Sequence, residues 1–135
     1  MERTLILIKP DAFARGLTGE IIGRFERKGL RLAAINQLTM TRELAERHYA
    51  EHDGKPFFDG LVEFITSGPL ISLVLEGEQA IGAARQMIGA TDPLKASPGS
   101  IRGEYAVLLR HNLVHGSDSS ESAEREIGLF FPGLN

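Results

Sequence analysis

Leu5-Ile6-Leu7-Ile8 is an unbroken apolar run that Lys9-Pro10-Asp11 brings to a stop. A strand with one wet face alternates apolar and polar residues. A strand buried on both faces does not, so this run predicts a central strand. Leu70 to Leu75 (LISLVL) has the same character and predicts a second one. Between them, Thr18-Gly19-Glu20 opens a helical pattern with Ile21, Ile22 and Phe25 on one side. Glu20, Arg24, Arg27 and Lys28 fall on the other, and Gly29 ends it. Leu30 to Met40 alternates moderately and predicts a strand, with Leu32, Ala34 and Leu38 facing one way. Thr41-Arg42-Glu43 starts a helix running to about Glu51, stopped by Asp53-Gly54. Pro56 begins another, with Phe57, Leu61, Phe64 and Ile65 at helical spacing.

Beyond the second buried run, Glu78 to Ile88 reads as helix. Asp92 to Ser100 (DPLKASPGS) is too rich in Pro and Gly for regular structure and long for a connector, which suits a functional loop. Ile101 to Arg110 leaves helix and strand both open. Asn112 to His115 reads as a short strand. Asp118 to Phe131 is a last helix capped by Asp118, Ser119 or Ser120, with Ala123, Ile127 and Phe130 or Phe131 inward. Only four strands interleave with the helices. The fold class is α/β (strictly α+β), a ferredoxin-like split βαβ sandwich whose four-stranded antiparallel sheet is covered by helices. The 135 residues are read as one domain.

Composition narrows the chemistry. With no cysteine, disulfides, thiolate metal sites, cysteine-ligated iron–sulfur clusters and a cysteine nucleophile are excluded. The longest apolar run, Tyr105 to Leu109, is far short of a membrane span, and Met1-Glu2-Arg3-Thr4 has no signal pattern. These features predict a cytoplasmic protein with no membrane partner. A net charge of −3 argues against a dedicated nucleic-acid grip, though not against a local cationic cluster for a small polyanion.

The four histidines form two i,i+4 pairs. His48-Tyr49-Ala50-Glu51-His52 matches the H-x-x-E-H of inverted zinc peptidases. A third ligand and a cleft are also needed, so a solvated polar helix face is the preferred reading. His111 and His115 precede Gly116-Ser117-Asp118-Ser119, which is too contiguous for a Ser-His-Asp triad and reads as a turn with a helix cap. His115 stands apart, at the end of a strand beside the free N–H groups of a helix start. Lys9, Arg85 and Arg102 sit at or near segment ends and, with Thr91 and His115, could make a phosphate site. No P-loop or dinucleotide fingerprint is present. Phe57 and Phe58 point about 100° apart on a helix, so one can be core while the other offers a platform to a nucleobase.

These residues closely resemble the nucleoside diphosphate kinase family. The resemblance runs from Glu2 to Phe131 through Lys9-Pro10-Asp11, His48-Tyr49, Pro56-Phe57-Phe58, Ser67-Gly68-Pro69, Gly89-Ala90-Thr91-Asp92-Pro93 and Pro98-Gly99-Ser100-Ile101-Arg102-Gly103. Its most specific block is Asn112-Leu113-Val114-His115-Gly116-Ser117-Asp118-Ser119. The resemblance implies γ-phosphoryl transfer from a nucleoside triphosphate, typically ATP, to nucleoside diphosphates, ping-pong, through a phosphohistidine. By match of motif, His115 resembles the nucleophile. Lys9 and Asn112 resemble the residues that hold the ribose hydroxyls, and Arg85, Thr91 and Arg102 the phosphate binders. Phe57 resembles the ring stacking on the base and Tyr49 a tyrosine beside the histidine, while Ser117 and Glu126 resemble the support behind it. The metal implied is Mg²⁺ held through the nucleotide phosphates, with no protein ligands of its own. A base gripped by stacking alone implies broad base specificity.

Departures are few. Leu109 replaces a smaller or β-branched residue near the base, and His111 falls at a variable position. The short tail Pro132 to Asn135 lacks the extension of many eukaryotic members. The loop Asp92 to Ser100 resembles the one around a threefold axis, which implies a homohexamer, with a homotetramer as the alternative. Two other classes compete. An RNA-binding ferredoxin-like domain needs exposed aromatics on its central strands, and these have none. A zinc peptidase would hold stoichiometric zinc.

Overall fold

The structure, a computed structural model, describes residues 1–134; Asn135, the end of the short tail, lies outside the described residues. In chain order the elements are β1 (Glu2–Ile8), α1 (Pro10–Ala14), α2 (Thr18–Lys28), β2 (Arg31–Leu38), α3 (Arg42–His48), α4 (Phe58–Ile65), β3 (Leu70–Gly77), α5 (Ala80–Ile88), α6 (Ile101–Tyr105), β4 (Val114–Gly116) and α7 (Ser120–Phe130). The sheet order is β2-β3-β1-β4 and every pairing is antiparallel. It is the ferredoxin-like sandwich expected from the sequence. The two unbroken apolar runs are the two central strands.

Both runs are buried because helices cover both faces of the sheet. Ile6 and Ile8, with Ile71, Leu73 and Leu75, pack against Ile21 and Phe25 of α2 and Ala84 and Ile88 of α5. Leu5 and Leu7, with Leu70 and Val74, pack against Ala45 of α3, Val62 and Ile65 of α4 and Phe130 of α7. The folded surface is 7229 Å², close to the roughly 7,000 Å² that a chain of this mass leaves exposed. No helix among the described residues is long and apolar enough to cross a membrane.

The alternation assigned to β2 is corrected. Leu32 pairs with Leu75 but Ala34 already pairs with Val74, so Ala33 is an extra residue in the ladder. A bulge of this kind reverses the facing of every later residue in the strand. Leu32 therefore packs on the α2/α5 side, while Ala34 and Leu38 pack on the other.

Helix boundaries need four adjustments. Pro10 does stop β1, but it is also the first residue of α1, where its missing N–H costs nothing. The helix expected to reach Glu51 ends at His48, and Ala50–His52 is a separate 3-10 turn. Asp92 to Ser100 contains one regular piece, the 3-10 turn Pro93–Lys95, where the Asp92 side chain accepts from Leu94 N–H at 3.1 Å. The open stretch from Ile101 resolves as α6, capped by Ser100 Oγ accepting from Gly103 N–H. At the end of the chain Ser119 is the cap of α7.

The fourth strand begins at Val114 rather than Asn112, because Leu113 holds φ = 75° and breaks the extended run. For a leucine that left-handed conformation costs about 1–2 kcal/mol. Three contacts hold it. Lys9 N–H donates to Leu113 C=O, Asp11 Oδ2 accepts from Leu113 N–H, and the side chain is fully buried. The kink brings Asn112 over the end of β1 and leaves His115 opposite Leu7.

Backbone approach is tightest at Gly103, where an added Cβ would lie 1.9 Å from the Ser97 carbonyl oxygen. Gly103→Ala must displace the loop or α6, and overpacking of this kind costs about 1–3 kcal/mol. Its melting temperature should fall by several degrees. Gly128, exposed within α7 with open space where a Cβ would stand, is the contrast. Gly128→Ala should gain about 0.5–1 kcal/mol from helix propensity. Thermal melts of both variants check the pair; a Gly103→Ala protein melting with the parent would contradict the packing described.

Candidate functional site

A cleft of about 1060 Å³ opens at the end of the sheet where β1 gives way to α1 and the chain enters β4. It gathers Lys9, Tyr49, Phe57, Arg85, Thr91, Arg102, Asn112, His115 and Glu126 from distant parts of the chain. Of the site residues named from sequence, only Ser117 does not line it; Ser117 lies fully buried behind Glu126.

His115 projects from β4 on the face it shares with Leu7, toward α3 and α7. There its Nε2 lies 2.9 Å from Glu126 Oε1, and Ser117 Oγ donates to the same oxygen at 2.7 Å. Burial alone would push the Glu126 carboxyl up. Hydrogen bonds from His115 and Ser117 and the charge available on His115 outweigh it and hold the group below its usual range. An ionised carboxylate only accepts, so in a neutral His115 ring the contact places the proton on Nε2 and leaves the lone pair on Nδ1.

Cations surround the histidine. Arg85 reaches from α5 to donate to Gly116 C=O at 3.0 Å. Arg102 is buried and donates to Gly89, Asn112 and Val114 carbonyls at 3.0, 3.1 and 2.6 Å. Burial, helped by Arg85, lowers it to about 10, so it stays charged at neutral pH. Three of its five N–H donors are spent on the backbone, leaving two for a ligand. Lys9 Nζ donates to Asn112 Oδ1, and Asn112 Nδ2 donates to Thr91 C=O at 3.1 Å. Desolvation lowers Lys9 to about 8, against the pull of Asp11 and with help from Arg102.

At the mouth the helical stripe Phe57, Leu61 and Phe64 faces the cleft, while Phe58, Val62 and Ile65 go to the core. Phe57 is 51% exposed and Phe58 8%, the division that a 100° step predicts. His111, given no part from sequence, stacks on Phe64 at 5.0 Å and 18° and lines the same mouth with Leu109.

His48 overturns its expected place on a solvated helix face. It is 3% exposed, with its ring centroid 4.8 Å from that of His115 and 4.7 Å from that of Tyr49. The H-x-x-E-H spacing fails as a metal pair because the helix ends at His48. His52, in the following 3-10 turn, lies among Tyr49 and Phe57 instead. Burial, reinforced by His115, pushes His48 down to about 3, and burial pushes the Tyr49 phenol up to about 12. Both side chains are neutral at physiological pH. His48 is the one functional-site neighbour that sequence reasoning misplaced. The available signal was its i,i−3 relation to buried Ala45 on the inner face of α3.

Known proteins match this chain along its whole length. The family model for nucleoside diphosphate kinase matches residues 2–135. A nucleoside diphosphate kinase of Frankia casuarinae is 64% identical over 135 residues, covering 100% of this chain and 98% of that one. Among solved structures, a halophilic nucleoside diphosphate kinase from Halobacterium salinarum in complex with CDP superposes with a TM-score of 0.94 at 53% identity, covering 96% of this chain and 87% of that one. A nucleoside diphosphate kinase family protein from Babesia bovis gives a TM-score of 0.96 at 45% identity, covering 99% and 91%.

The burial of His48 has a measurable sign. A histidine in the unfolded chain takes a proton near pH ~6.5, whereas His48 in the fold takes one only near about 3. Between those values the unfolded state binds the extra proton. The contribution of His48 to stability is therefore intact above pH ~6.5 and drains away as pH falls toward 3. Ring resonances of His48 should not shift between about pH 8 and about pH 5 in an NMR titration. A midpoint near ~6.5 would contradict the buried placement.

Proposed function

The chain belongs to the nucleoside diphosphate kinase family, and from that premise we propose that His115 is its nucleophile and that the cleft residues hold a nucleotide in line with it. The enzyme is a phosphotransferase that carries the γ-phosphoryl group of a nucleoside triphosphate to a nucleoside diphosphate through a phosphohistidine. In the first half-reaction a histidine nitrogen bonds to the γ-phosphorus while the bond to the β–γ bridging oxygen breaks, releasing a diphosphate. In the second, a terminal β-phosphate oxygen of the acceptor takes the group and frees the histidine.

The observation that carries the assignment is the chain Ser117–Glu126–His115. It leaves Nδ1 of His115 as the nitrogen with a free lone pair. As Nδ1 bonds to phosphorus the ring becomes cationic, and Glu126 is already in place to balance that charge. Ser117 fixes the carboxylate. Arg85, Arg102 and the Thr91 hydroxyl take the phosphate oxygens; the two free N–H groups of Arg102 suit an oxygen pair. Lys9 and Asn112, already paired, receive the ribose hydroxyls, and Phe57 stacks on the base with Leu109 near it. Tyr49 stays a neutral phenol that fills the wall beside His48.

Phosphoryl transfer then needs positioning and charge neutralisation more than covalent help. Mg²⁺ would be held through the nucleotide phosphates, with no protein ligand of its own, and would supply neutralisation of their charge. It seeks oxygen ligands, and the innermost donors here are two imidazoles and a carboxylate already hydrogen-bonded. Residues 1–135 form one domain in this reading, acting in the cytoplasm, where free nucleotides are the substrates. The assembly is a homohexamer rather than a homotetramer. Exposed Leu94 in the 92–100 loop, with Val107 and Leu108 beyond α6, supports burial of that surface against further subunits.

His115→Ala should abolish acid-labile, base-stable phosphoenzyme formation from γ-labelled ATP while leaving nucleotide binding largely intact. Label retained by that variant, or mapped to His48, His52 or His111, would overturn the nucleophile. Phe57→Ala should raise KM for ADP, GDP, CDP and UDP, by roughly 5- to 160-fold for stacking worth about 1–3 kcal/mol. Because stacking is nearly equal in ground and transition states, kcat should hold. The melting temperature should stay near the parent value, since the ring is half exposed. A loss confined to one base would mean a hydrogen-bonding reader instead.

A further inference from the structure

One group beside the nucleophile has no task in phosphoryl transfer. His48 is buried, and its Nδ1 has no hydrogen-bond partner. A neutral imidazole carries one lone pair, and no donor among the described residues meets this buried nitrogen. His48, His115 and Glu126 each offer one donor atom, and these atoms lie within 4.8 Å of one another. Two imidazoles and one carboxylate are the donor set of open tetrahedral zinc sites, with the fourth position left to water or substrate. We propose that His48, His115 and Glu126 form a binding site for a late first-row divalent cation, Zn²⁺ in the first instance, which silences the enzyme by occupying its nucleophile.

The chemistry selects the ion. Imidazole and carboxylate together suit Zn²⁺, whereas Mg²⁺ prefers an all-oxygen shell and keeps its waters. The 4.8 Å span exceeds the roughly 3.3 Å edge of a zinc tetrahedron with bonds near ~2.0 Å, so binding draws the rings inward. His115 is on the half-open side, with 26% of its side chain exposed, and can move. Glu126 and His115 are already 2.9 Å apart. A neutral imidazole has one lone pair. With the metal on one nitrogen the other carries the proton, so whichever nitrogen of His115 binds zinc, none is left to attack phosphorus. Phosphorylation and metal binding are mutually exclusive on the same ring.

The consequence for catalysis rests on His115 being the nucleophile; the metal site itself does not. The test therefore starts without nucleotide. Tag-free enzyme in metal-free buffer is titrated calorimetrically with ZnCl₂, and Co²⁺ is added separately to read its visible d–d bands. One Zn²⁺ per chain is expected, with an intense tetrahedral Co²⁺ spectrum. His48→Gln and Glu126→Gln should each weaken binding at least ~10-fold, while the double variant His52→Asn/His111→Asn should bind like the parent. Should either glutamine variant fail to fold, the parent decides the matter alone: enzyme first phosphorylated by ATP and freed of nucleotide should bind no Zn²⁺ until ADP removes the phosphoryl group. Zinc uptake that survives phosphorylation, that disappears with His52 and His111, or that does not saturate at micromolar to millimolar metal would overturn the site. Labelling of the parent from ATP after chelation is scored separately, so loss of the nucleophile assignment and loss of the metal site give different results.

Discussion

Arg102 donates to three main-chain carbonyls that no helix or sheet ladder joins: Gly89 after α5, Asn112 at the kink, and Val114 in β4. The Asn112 oxygen also accepts from Val114 N–H at 2.8 Å; a buried carbonyl with no other donor would cost about 1–3 kcal/mol if left unmet. A planar guanidinium can serve all three from one point, with donors fixed in direction. Lysine also has three donors, but they radiate from one rotating ammonium and not from a fixed planar fork. The guanidinium thus ties the end of α5 to the chain on both sides of the Leu113 kink. Arg102 and Asn112 both line that end of the cleft.

The same part of the molecule sets the electrical character of the site. Lys9, Arg85 and Arg102 converge where one carboxylate, Glu126, is committed to His115 and Ser117. Desolvation lowers both Lys9 and Arg102 without neutralising them. Such a site holds its charges at a cost that a polyphosphate relieves, so part of the attraction for nucleotide is release of that burden. The mouth is different. Phe57, Leu61, Phe64 and His111 offer flat or apolar surface and little hydrogen-bonding code. The inner end of the cleft is charged and its mouth is apolar, the division that the proposed nucleotide pose uses.

Much of this was legible in the residues. The runs Leu5–Ile8 and Leu70–Leu75 marked the central strands because burial on two faces leaves no room for polar alternation. The cations at segment ends do meet in one cleft, and the spacing of Phe57 and Phe58 separated the exposed ring from the core one. What escaped depended on contacts far along the chain. The bulge at Ala33 is set by pairing with β3, and periodicity within one strand cannot announce it. The positive φ of Leu113 follows from Asp11 and Lys9, a hundred residues earlier. His48 looked solvated because polar neighbours surround it in sequence, whereas in space its neighbours are Tyr49, His115 and Phe130.

β1 has an implication for how the chain acquires its shape. It pairs on one side with β3 and on the other with β4, at separations of more than sixty and more than a hundred residues. Closing such loops costs entropy before any contact returns it, and topologies dominated by distant pairings fold slowly. During synthesis the first strand to leave the ribosome is the last to find both neighbours. Until β4 arrives, Leu5 to Ile8 is an apolar edge able to pair with another chain, the hazard that unpaired edges carry in partly folded states. His115 and its partner Glu126 arrive with those same closing segments. Completing the sheet and bringing His115 to Glu126 are one event, so a chain stalled short of it is aggregation-prone and has no assembled cleft.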